Sequence, residues 1–72
     1  MTLDLHGTKH EHVNRMVDMF IWECIQNNIH QCKVITGNSE VMKQIVIGCV
    51  NDHGLTVNNF FNTGGELIID LV

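Results

Sequence analysis

Seventy-two residues leave room for one small domain spanning 1–72 with a modest core, and exclude a second. With 44% apolar and 17% charged residues the chain is too apolar for intrinsic disorder, and its net charge of −4 argues against a protein that grips nucleic acid chiefly through a basic face. No apolar run approaches the roughly 18 residues of a membrane span, and no basic start followed by an apolar stretch marks a secretory leader, so the expected setting is cytoplasmic.

In chain order, Leu3 and Leu5 alternate with Asp4 and His6, the pattern of a short half-buried strand that Gly7 breaks. Thr8-Lys9-His10-Glu11 has the form of a capping box, with Thr8 as N-cap and Glu11 reaching back. Val13, Met16, Val17, Phe20, Cys24 and Ile25 then recur at helical spacing, and Asn27-Asn28 stops the helix because asparagine tolerates the left-handed cap. Residues 31–36 read as a second strand ended by Gly37. Asn38 or Ser39 caps a second helix with the face Val41, Met42, Ile45, Val46, Cys49 and Val50, and Gly54 ends it. Residues 55–61 form a more polar strand and 66–72 an apolar one, joined as a hairpin by Asn62-Thr63-Gly64-Gly65.

The expected architecture is a two-layer α/β (α+β) sandwich of order βαβαββ, with a mixed four-stranded sheet and both helices on one face. Cys24, Cys32 and Cys49 are odd in number and lack a close-spaced pair, so they are expected as reduced, buried thiols. Trp22 flanks the first helical stripe and is assigned to packing; it serves base stacking only if exposed. Phe60 and Phe61 are consecutive, so one of them points out of the sheet. His30 and His53 fall in loops and are expected to be solvated.

A strand–helix–strand unit with a right-handed crossover places parallel strand ends on one rim, bringing His6-Gly7 and Thr36-Gly37 together. The following helices direct their N-termini, with unpaired N–H groups, at the same rim, where an anion such as phosphate is favoured. The final hairpin returns Gly64 and Gly65 there. Alternation puts the Asp4 and His6 side chains on one face about 7 Å apart, close enough to share a substrate, a water or a metal ion.

Leu3-Asp4-Leu5-His6-Gly7, a helix of about 20 residues, Val34-Ile35-Thr36-Gly37, a second helix and a glycine-containing final hairpin together resemble the Smr (small MutS-related) domain family. The resemblance implies a fold similar to the C-terminal domain of translation initiation factor three, with strand four central. It also implies association with DNA or RNA, by binding, nicking or endonucleolytic cleavage. Carried onto this chain, it points to Asp4 and His6 as catalytic residues and to Gly7, Thr36 and Gly37 as phosphate-binding, with Lys43, Gly64 and Gly65 completing that set. Three departures stand out: Asn38-Ser39 replaces the second glycine of the second motif, Lys43 stands where a basic residue often opens the second helix, and Glu66 follows Gly64-Gly65.

Two functions from different classes follow. One is a nucleic-acid-binding domain with phosphodiester cleavage through Asp4 and His6, either unaided or with a divalent cation held between them. The other is a non-catalytic interaction module with a degenerate phosphate loop. A structural metal at His6, His10 and His12 with Glu11 is disfavoured, because adjacent helical positions do not face each other. The expected partner is nucleic acid rather than a membrane, and the expected state is a monomer or weak homo-oligomer.

Overall fold

The computed structural model describes residues 1–58 and 64–71. Its elements are β1 (Thr2–Asp4), α1 (His10–Gln26), β2 (Gln31–Ile35), α2 (Glu40–Asp52), β3 (Thr56–Asn58) and β4 (Glu66–Asp70). Two helices and a mixed four-stranded sheet make a small α+β sandwich. The sheet order is β1-β2-β4-β3. β1 and β2 are parallel with Leu3 opposite Val34; β2 and β4 are antiparallel with Val34 opposite Leu67; β3 and β4 are antiparallel with Val57 opposite Ile69. The apolar run Leu67-Ile68-Ile69 thus sits in an interior strand. Phe60, Phe61 and the Asn62-Thr63 half of the expected turn lie outside the described residues.

The period of two decides which side of the sheet is covered. Cys32, Val34, Leu67 and Ile69 are buried while Gln31, Lys33, Glu66 and Ile68 are not. The first set meets Val13, Val17 and Ile21 of α1 and Met42, Val46 and Val50 of α2 in one core, and the two helices pack on each other. Each fully buried aliphatic side chain contributes roughly 1.5–3 kcal/mol. On the other face Lys33 pairs with Glu66 at 3.5 Å, and Gln31 donates to Asp70 at 2.9 Å. That face also carries the half-buried Ile35 and Ile68 among its polar groups.

The start of α1 departs from expectation. The capping box at Thr8 does not form: the N-cap is Lys9, with no side-chain cap. Gly7 adopts φ +80°, and the Thr8 N–H donates to the Leu5 carbonyl at 2.9 Å, which draws Thr8 into the strand-to-helix turn. The Glu11 carboxylate instead lies 3.6 Å from His12 Nε2. The buried stripe is Val13, Val17, Phe20, Ile21 and Cys24, and Ile25 is exposed. Trp22, assigned to packing, is 64% exposed. It follows Val13 by nine residues, about two and a half turns, and so occupies the opposite side of the helix. Val41 is likewise outside the core.

The ends of the helices follow local chemistry. Asn28 has φ 56°, with Ile29 N–H donating to Cys24 O at 2.9 Å, and Gly54 has φ +73°, with Leu55 N–H donating to Val50 O at 3.1 Å. Both closures satisfy terminal carbonyls through a left-handed residue. Ser39 Oγ caps α2 by accepting the Met42 N–H at 3.1 Å. His53, expected to be solvated, is the C-cap of α2 and lies 2.9 Å from Asp18 Oδ1 of α1.

Cys24, Cys32 and Cys49 are free and buried. Burial, reinforced by the neighbouring Cys24 thiol, pushes the Cys32 thiol up to about 12. Burial also raises Cys49, with Asp18 and Asp52 adding to the effect. Among the described residues no helix is long and apolar enough to cross a membrane.

Candidate functional site

The site begins where β1 ends. Leu5 is buried and its N–H donates to the Ile35 carbonyl at 2.8 Å, which holds the chain against β2 for one residue more. The backbone then turns. Asp4 Oδ1 accepts the backbone N–H of His6 at 2.9 Å, an aspartate bonding two residues ahead to fix a local turn. The carboxylate therefore braces the histidine's backbone.

The second segment arrives from β2. Thr36 is 3% exposed, and its N–H and that of Gly37 both donate to the Gly65 carbonyl, at 2.8 and 3.2 Å. The Thr36 hydroxyl donates to the Gly37 carbonyl at 3.0 Å. Gly37 holds φ +67°, and a Cβ on it would stand 3.3 Å from His6 Cδ2. A Cβ on Gly65 would stand 3.6 Å from Gly37 Cα. The ends of β1 and β2 and the start of β4 thus converge at two glycines, Gly37 and Gly65, and one imidazole.

In front of them lies an open cleft of about 540 Å³, lined by His6, Gly7, Thr8, Lys9 and His10 on one side and Thr36, Gly37, Asn38, Ser39 and Met42 on the other. Among the described residues its charged and titratable groups are one lysine and two histidines, and no carboxylate lines it. The nearest acid along the second segment, Glu40, pairs with Lys43 at 3.7 Å. Both helices begin at this cleft, at His10 and Glu40, so their first amides lack intrahelical acceptors.

Of the residues singled out in the sequence, His6, Gly7, Thr36 and Gly37 line the cleft. Gly65 stands behind it, occupying two amides, and Gly64 lies beside Asn38. Asp4 supports His6 from behind. Lys43 does not line the cleft: its side chain is 12% exposed and engaged by Glu40. Lys9, His10, Asn38 and Ser39 belong to the lining although the sequence assigned them to helix starts or loop. Their signal was adjacency to the two motifs.

Asp4 Oδ1 is committed to the His6 N–H, which leaves the second carboxylate oxygen and the imidazole as side-chain donors for a divalent cation. Such an ion can complete so small a set with water and substrate phosphate. Among the described residues no three His, Cys, Asp or Glu side chains are grouped to hold a metal on their own.

A family model described as Smr domain matches residues 3–64, from β1 to the glycine pair before β4. Comparison with curated proteins and with solved structures returned no match.

Proposed function

This chain belongs to the Smr domain family, and from that premise we propose that it binds nucleic acid in the cleft and cleaves a phosphodiester there, with His6 as the proton-transfer residue. Smr domains generally bind nucleic acid, and some are endonucleases. The observation that carries the reading is the charge of the lining. In a chain of net charge −4, the cleft at the paired strand ends gathers Lys9, His6 and His10 and, among the described residues, no carboxylate. That arrangement suits an anion and repels little of it.

Each residue has a definable part. Asp4 is a positioning residue that fixes the turn presenting the imidazole. His6 exchanges a proton with the attacking or leaving oxygen. Lys9 and the first amides of α1 and α2 stabilise the charge that builds on phosphorus-bound oxygens.

One observation favours the non-catalytic alternative. The Thr36 and Gly37 amides, natural phosphate donors, already serve the Gly65 carbonyl. The test is cleavage of end-labelled RNA and DNA oligonucleotides by the wild type, His6→Ala and Asp4→Asn, each with and without EDTA. The wild type should cleave, and His6→Ala should lose about 10²-fold or more, the scale of general acid–base catalysis. Undiminished cleavage by His6→Ala overturns the assignment. Binding with no cleavage under any condition establishes the interaction module instead.

A further inference from the structure

We infer that His10 is a second proton-transfer residue of the same cleft, complementing His6; the inference rests on the nucleic-acid reading above. Three observations support it. His10 is the first residue of α1 and lines the cleft together with His6, so two imidazoles share one open cavity of about 540 Å³. The turn between them is fixed at both ends, by Asp4 on the His6 N–H and by the Thr8 N–H on the Leu5 carbonyl, with Gly7 at φ +80° reversing the chain. The backbone that leads from His6 toward α1 is therefore held in a defined turn. Finally, α1 does not begin at Thr8. Its N-cap is Lys9, one residue beyond the expected Thr8, so His10 is the first helical residue and stands at the cleft.

Phosphodiester cleavage needs two proton transfers. The attacking hydroxyl loses its proton as its oxygen bonds to phosphorus, and the leaving oxygen gains one as its bond to phosphorus breaks. Two imidazoles perform both, one accepting and the other donating, with no change of oxidation state and no net proton consumed. The other charged groups around them are Lys9 in the lining, Asp4 behind His6, and the Glu11–His12 pair at 3.6 Å on the first turn of α1. None of the three carboxylate or imidazole groups outside the lining replaces His10 in the cleft.

The test uses the intact chain and a nuclease-resistant phosphorothioate oligonucleotide, followed through the imidazole resonances of all five histidines, with His6→Gln and His10→Gln supplying the assignments. The His6 and His10 resonances should shift together and saturate at one oligonucleotide concentration, while those of His30 and His53 stay still. If His6 responds and His10 does not, the inference falls and the cleft reading stands. If neither responds, both fall. In cleavage, His10→Gln should lower kcat about 10²-fold with KM changed less than threefold; an unchanged kcat overturns the proton-transfer role even where the ring contacts the ligand.

Discussion

Asp4 accepts the backbone N–H of His6 at 2.9 Å, so the carboxylate of the Asp-Leu-His-Gly motif shapes the turn that carries the imidazole. A positioning role of this kind needs an acceptor oxygen and not a negative charge. Asp4→Asn should keep the turn and most of any cleavage activity, whereas Asp4→Ala should lose about 1 kcal/mol of stability together with activity. Urea unfolding and initial-rate measurements on the two variants separate the roles. Equal loss of activity in both would make the charge itself essential.

Gly37 and Gly65 look alike in sequence and differ in what they tolerate. Gly37 has φ +67°, and an added Cβ would crowd His6 Cδ2 at 3.3 Å; at Gly65 the nearest atoms stand at 3.6 Å, ordinary contact. Gly37→Ala should cost about 1–2 kcal/mol through the left-handed backbone and displace His6. Gly65→Ala should change stability by less than about 0.5 kcal/mol. Thermal unfolding, read alongside the His6 resonances, distinguishes the two outcomes.

The buried Cys32 thiol gives the fold an alkaline limit. Its folded value is raised from 9.0 to about 12, so the native state keeps a proton that the unfolded chain gives up. The stability it contributes is fully present below about pH 9 and is lost as pH rises toward about 12. Cys32→Ala should flatten the fall in stability across that window, measured by denaturant unfolding at stepped pH. An identical slope in wild type and variant would remove Cys32 as the cause.

The only tryptophan reports on the outer side of α1. Trp22 is 64% exposed, so Trp22→Ala should cost less than about 0.5 kcal/mol, while truncating the fully buried Ile21 to alanine should cost about 2–5 kcal/mol. Native emission from Trp22 should be that of a solvated indole and open to iodide quenching. Protected, blue-shifted emission would contradict the orientation of the helix.

The fold was legible because its signals are periodic and redundant. Leu3 and Leu5, Val34, and Leu67 with Ile69 announce strands by alternation, and Asn28 and Gly54 end the helices where left-handed residues were expected. The failures sit at edges, where one residue of offset matters. Thr8 carries the letters of a cap, but the Leu5 carbonyl claims its amide first, a contact set by how β1 joins β2. Ile25 lies at the margin of the buried stripe and Trp22 on the opposite side of α1.

The site was legible as a meeting of strand ends and illegible as a chemical surface. That His6 and Gly37 come together follows from parallel pairing of β1 and β2. That Gly65 consumes the amides of Thr36 and Gly37 depends on the register of β4, with Ile35 opposite Glu66, which no local pattern encodes. Lys43 looked available along the chain, but the choice between the cleft and Glu40 is made by side-chain geometry. His10 and Lys9 were read only as the start of α1, and no local pattern encodes that this start opens onto the cleft.

The most direct test of the account is the salt dependence of binding between the chain and a fluorescent single-stranded oligonucleotide, compared for wild type and Lys9→Glu. Binding through the cleft predicts that log Kd rises linearly with log salt concentration for the wild type. Reversing the one lysine that lines the cleft should weaken affinity at least tenfold and make that slope shallower by about one phosphate contact or more. A wild-type slope near zero, or a Lys9→Glu variant indistinguishable from wild type at low salt, would contradict the claim that the cleft takes the nucleic-acid backbone.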